Sequence, residues 1–197
     1  MTRSTKCRFA CRATFPTRAV AAAGCAIFLS LGTACASNTG GSSTSISTPS
    51  PTERTSGPSA PAQMICTDDI QDEIAKIIGV QRDKSITPTW SDNLYACRYV
   101  YPNGELLLTV KDLKSTPDAT AYYDSLRASL TSSTTLSGLG QGAFVAPDGS
   151  IFLRKDFNVL KVDVSGLPER FGEPALDRAD LAEKVAAAIM KCWLEHH

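Results

Sequence analysis

Histidine is nearly missing from this chain: 197 residues contain two, His196 and His197, side by side at the C-terminal end. Without an imidazole in the body of the chain, the Ser–His and Cys–His pairs that activate a nucleophile cannot be assembled, and most zinc sites lose a ligand. Residues 64–197 contain no Gly-x-Ser-x-Gly elbow and no Cys/His run with zinc-ligand spacing. Acidic residues are absent from the first 34 positions, which carry Arg3, Lys6, Arg8, Arg12 and Arg18. Because 20 Lys and Arg balance 20 Asp and Glu overall, the remainder holds 15 positive against 20 negative charges, a net of −5. An acidic body has no clustered cations with which to neutralise phosphates, so nucleic acid is excluded as a partner. There is also no apolar run of the roughly 20 residues that a membrane-crossing helix requires.

What is present begins with an export signal. Behind the basic leader, Ala19–Ala34 is uncharged and largely apolar, which is the length of a signal-peptide core. It ends in Leu31-Gly32-Thr33-Ala34-Cys35, small residues followed by a cysteine. This resembles a bacterial lipobox, in which the cysteine thiol receives diacylglycerol. The resemblance implies a signal peptide over 1–34, lipidation at Cys35 and a protein anchored on the extracytoplasmic face of the cell membrane. Acyl chains contribute about 0.8 kcal/mol per buried CH2 to such anchoring. Ala34-Cys35-Ala36 also satisfies the small-x-small rule of ordinary signal cleavage, which would release a secreted product.

Residues 36–63 are Ser, Thr, Gly, Pro or Ala except for Asn38, Ile46, Glu53, Arg54 and Gln63. Such a composition has almost nothing to bury, so residues 35–63 are expected to form a disordered tether with a reach of roughly 30 Å. The functional unit is expected to be a single domain over 64–197.

Within it, Thr67 followed by Asp68 and Asp69 marks a helix start. Ile70, Ile74, Ile77 and Ile78 form its apolar stripe, and Gly79 stops it. Residues 81–93, with Pro88 and Trp90, read as a loop. Leu94–Tyr101 and Glu105–Leu113 read as strands joined by Pro102-Asn103-Gly104, with Tyr95, Cys97, Tyr99 and Tyr101 on one face. A helix opens at Thr116-Pro117 and runs to about Leu130. Strands over Gly142–Ala146, Ser150–Arg154 and Asn158–Val164 follow, then a helix over Leu176–Trp193. The order α-β-β-α-β-β-β-α lacks the alternation of a parallel sheet and predicts an α+β fold, an antiparallel sheet of about five strands with helices mainly on one face.

The Cys-headed first helix (Cys66), the Cys97-Arg98-Tyr99 strand, the segment Leu139-Gly140-Gln141-Gly142-Ala143 and the Ala-rich last helix together resemble small actinobacterial cell-envelope lipoproteins. Those carry a cystatin-like or Mog1/PsbP-like α+β domain. The resemblance implies binding or assembly and supplies no catalytic residue.

Three cysteines fall in the exported domain, where disulfides persist. Cys66–Cys97 is the favoured pair because it ties the first helix to the first strand; Cys66–Cys192 and Cys97–Cys192 are the other two possibilities. Gly138-Leu139-Gly140-Gln141-Gly142 imitates a phosphate loop, but a strand rather than a helix follows it. Tyr99, Tyr101 and Tyr122 are candidates for lining a ligand groove between sheet and helix, against the alternative that they fill the core with their hydroxyls at its rim. Trp90 is a candidate for partner contact. No metal and no cofactor is expected. The reading that follows is a non-catalytic, lipid-anchored binding protein for an envelope protein or ligand, or else a carrier of a lipid or small apolar ligand.

Overall fold

The computed structural model describes residues 57–83 and 85–195. The expected signal peptide, the lipidation candidate Cys35 and the expected tether as far as residue 56 lie outside the described residues. In chain order the elements are α1 (Ala60–Met64), α2 (Asp68–Ile78), β1 (Thr89–Ser91), β2 (Leu94–Tyr101), β3 (Gly104–Asp112), α3 (Thr116–Ala128), β4 (Thr134–Leu136), β5 (Gly142–Val145), β6 (Ile151–Lys155), β7 (Asn158–Asp163), β8 (Arg170–Phe171), β9 (Leu176–Asp177) and α4 (Arg178–Glu195).

The fold is α+β, and its sheet is larger than the expected five strands. Seven strands lie in the order β1-β2-β3-β7-β6-β5-β4, each pair antiparallel. The two additions are the three-residue edge strands β1 and β4, too short to show a period of two. Trp90 accordingly sits in β1, opposite Tyr95, and not in a loop. A two-stranded ribbon, β8–β9, occupies the segment before α4, so the last helix begins at Arg178 instead of Leu176.

Alternation along the central strands sorts their side chains onto two faces. Tyr99, Tyr101, Leu106, Leu108, Val110, Ile151, Leu153, Leu160 and Val162 point to a core closed by α2 and α4, where Ile70, Ile74, Ile78, Val185, Ile189 and Trp193 are buried. Fully burying one such side chain contributes about 1.5–3 kcal/mol, so this layer dominates the stability of the domain. The opposite face carries a smaller core, in which Ala119 and Tyr123 of α3 meet Phe144, Phe152 and Val159. Phe144 and Phe152 stack at 5.0 Å, and Tyr123 tilts against Phe144 at 5.1 Å. Three helices thus lie on one face and one on the other.

Cys66 and Cys97 form the disulfide, tying the chain just before α2 to the middle of β2. Cys192 takes no part in it and is buried on α4. Thr67 occupies the N-cap of α2, but its hydroxyl donates backward to the Met64 carbonyl at 2.9 Å and makes no cap to the helix.

The fold also reaches into the last residues of the stretch that composition assigns to a tether. Ser59 donates through its backbone N–H and its hydroxyl to Asp112 at 2.7 and 2.8 Å, and Asn158 donates to both residues. Ala62 is buried in the main core, and the Trp193 indole donates to the Pro61 carbonyl at 3.0 Å. Composition cannot register this because Ala and Pro are as compatible with a packed turn as with a spacer. What places them is the acceptor at Asp112 and the indole of Trp193, 53 and 132 residues away in sequence.

Candidate functional site

One helix cannot cover the outer face of a seven-stranded sheet. Strands about 4.8 Å apart make the sheet on the order of 30 Å wide, and a helix with its side chains is about 10 Å across. α3 covers β5, β6 and β7, leaving the outward side chains of β2 and β3 without a helix above them. Those side chains are Leu94, Ala96, Arg98 and Val100 from β2, and Leu107, Thr109 and Lys111 from β3.

The result is a groove with two hollows that share Leu94, Leu107 and Thr109. One, of about 430 Å³, has Ser85, Thr87 and Thr89 on its far side, Ala96 and Val100 on its floor and Arg98 at its border. The other, of about 320 Å³, runs under Tyr122 and Leu126 of α3 and over Phe152 and Val159. Leu94 is 36% exposed, one of two large apolar residues so exposed among those described. The floor is apolar while the charges line its borders. Arg98 pairs with Glu105, Lys111 donates to the Asp92 carbonyl, and Lys161 pairs with Asp163 at 2.6 Å. Lys161 also lies 5.5 Å over the Phe152 ring, where the open half of the face meets the half covered by α3. Burial pushes the Asp163 carboxyl up. Hydrogen bonds from Lys161 and from the Ser165 hydroxyl and backbone N–H, with the Lys161 charge, outweigh it and hold the group below the usual carboxylate range.

The structure does not bring the sequence-derived aromatic residues together. Tyr122 borders the groove. Tyr99 and Tyr101 face the opposite side of the sheet, buried against α2 and the β8–β9 segment. The Tyr99 hydroxyl donates to the Ile65 carbonyl at 2.9 Å, and Tyr101 packs edge-on against Phe171 at 5.3 Å. Both also border a separate cavity of about 300 Å³ beside α2. Burial pushes the Tyr99 phenol well above its ordinary value and Tyr101 up to about 12. Trp90 tilts against Tyr95 at 6.5 Å and borders neither hollow of the groove. The glycine-rich segment before β5 is a strand entry: the Gln141 side chain accepts from Arg154 at 2.9 Å and from the Asp156 N–H at 2.9 Å.

The groove floor carried a signal in the sequence. A strand with one wet face alternates apolar with polar residues, yet β2 and β3 place Ala96, Val100 and Leu107 on their outward face. Among the described residues no group of three or more His, Cys, Asp or Glu side chains could hold a metal ion, and no helix is long and apolar enough to cross a membrane. Comparison with protein-family models, with curated proteins and with solved structures returns no match to this chain.

Proposed function

We propose that the chain is a non-catalytic lipoprotein, held on the extracytoplasmic face of the cell membrane through Cys35, whose domain binds an envelope partner on the open half of the sheet. The observation that carries this reading is the groove between α3 and residues 85–89, apolar along its floor and charged along its borders. An interface core of that kind releases water from apolar surface while its polar rim sets orientation. The lipobox-like Cys35 and the low-complexity segment behind it support an anchored, tethered placement, and the missing catalytic set argues for binding over turnover.

A photo-crosslinking residue at Ala96 or Leu107, installed in producing cells, tests the reading against the same residue at Glu183 on the exposed face of α4. A defined product from the groove positions and none from Glu183 is expected. Equal products at both faces, or none at the groove, would rule it out. Acyl-chain mass on the mature protein tests Cys35 separately.

The hollow under Tyr122 and Leu126 favours a second reading, a carrier of a lipid or small apolar ligand. That version expects stoichiometric lipid in an organic extract of the purified protein, and its loss in Leu107→Glu.

A further inference from the structure

The cavity beside α2 is unlike the groove because its walls are polar. α2 contributes Gln71, Asp72, Ala75 and Gly79 on one side, while the segment after it and β2 contribute Val80, Gln81, Arg82, Tyr99 and Tyr101 on the other. Two of its polar groups, the Tyr101 hydroxyl and the Arg82 guanidinium, make no hydrogen bond among the described residues, although the Arg82 charge acts on the tyrosine electrostatically. Tyr101 is 4% exposed, and its hydroxyl makes no hydrogen bond among the described residues, although the neighbouring Tyr99 hydroxyl is satisfied by Ile65. The Tyr101 hydroxyl is not sealed from solvent, since the one buried side-chain polar atom without a partner among the described residues is Arg154 Nε; it opens onto the cavity, where water or a ligand can bond to it. The Arg82 guanidinium likewise makes no hydrogen bond or ion pair among the described residues, leaving five N–H donors in a planar fork.

The acceptors stand on the other wall. Gln71 uses its amide nitrogen on the Cys66 carbonyl at 2.7 Å, which leaves its side-chain oxygen to accept, and Asp72 supplies a carboxylate. Donors on the strand side and acceptors on the helix side suit a molecule carrying both an oxyanion and an ammonium. A simple anion fits less well, because Asp72 and the carbonyls at the C-terminal end of α2 repel it. The volume of about 300 Å³ is at the lower limit of the roughly 300–1,000 Å³ found for ligand pockets, and the lining is too polar for an acyl chain.

We propose that this cavity binds a small zwitterion of amino-acid size, its carboxylate accepting from Arg82 and Tyr101 and its ammonium donating to Asp72 and Gln71. The site is independent of the groove on the opposite face, and neither reading requires the other.

The test is an NMR titration of the full chain in detergent, following the Arg82 Nε–H and Tyr101 ring signals with alanine, acetate and methylamine as probes. Alanine is expected to shift both signals saturably, with acetate and methylamine at least about tenfold weaker, since each forms one half of the charge-assisted bonds. Tyr101→Phe, which keeps the ring packed on Phe171, and Arg82→Gln, at a partly exposed position, are each expected to weaken alanine binding by about tenfold or more. Absence of saturable shifts up to tens of millimolar would overturn the proposal. Acetate binding as tightly as alanine would overturn it too, as would both variants binding like the parent. Should Tyr101→Phe fail to fold, Arg82→Gln decides alone.

Discussion

Tyr99 and Tyr101 show how a single substituent changes the demands of a core. Each buries an aromatic ring that packs as well as phenylalanine, yet each also carries a hydroxyl that cannot ionise without leaving a charge in a low-dielectric environment. An unfolded tyrosine ionises near pH 10, whereas burial holds Tyr101 protonated up to about 12 and Tyr99 further still. The native state therefore binds these protons more tightly than the unfolded chain. Their contribution to stability is fully present below about pH 10 and is lost as pH rises toward and through the folded values. Urea unfolding measured from pH 9 to pH 12 is expected to show stability falling above about pH 10, by up to about 1.4 kcal/mol per pH unit for each tyrosine. Tyr101→Phe is expected to reduce that slope. An unchanged slope in the variant would assign the alkaline loss to other groups. Asp163 works in the opposite direction: its lowered value stabilises the fold above the ordinary carboxylate range and is lost on acidification.

Among the elements, α2 was the most legible. Its isoleucines recur at helical spacing, acidic residues fill its first turn, and the helix ends at Gly79 as expected. The reason for that glycine is twofold, and only half of it is local. Gly79 has φ +70°, which favours glycine at a helix end, and a Cβ there would meet the Glu173 carbonyl oxygen at 2.3 Å. The Glu173 N–H meanwhile donates to the Ile78 carbonyl at 2.7 Å, so the end of α2 is pinned to the segment before β9. Gly79→Ala is expected to cost about 1–3 kcal/mol, read as a lowered midpoint in thermal or denaturant unfolding. A neutral effect would mean that residues 172–174 yield to the added methyl. β2 and β3 were legible for a different reason, eight and nine residues with a clear alternation. β1, β4, β8 and β9 have two or three residues each and no pattern to read; they are strands because of what lies beside them.

For the whole molecule, the disulfide is a covalent constraint that persists in the unfolded chain. Cys66 and Cys97 are separated by 31 residues, and closing a loop of that size removes entropy corresponding to about 2–4 kcal/mol. Cys66→Ala with Cys97→Ala, or reduction of the parent, is expected to lower unfolding free energy by that amount in denaturant titrations. A loss below about 1 kcal/mol would show that α2 is held by the burial of Ile70, Ile74 and Ile78 alone. Removing the bond frees the start of α2 from β2 and acts first on the larger core, since neither cysteine lies in an element of the smaller one.

Periodicity was enough to place the long elements, because it is a property of neighbouring residues. Three matters were decided only by the tertiary structure. The face that α3 covers depends on the stacking of Tyr123, Phe144 and Phe152, drawn from three separate elements. The split between Tyr122 and the pair Tyr99 and Tyr101 follows from that choice, since helices with similar stripes pack equally well on either side of a strand until the whole sheet is assembled. The groove floor of Leu94, Ala96, Val100 and Leu107 is open because one helix is narrower than seven strands. Such a mismatch of widths exists only between assembled layers, and no local stretch of the chain records it.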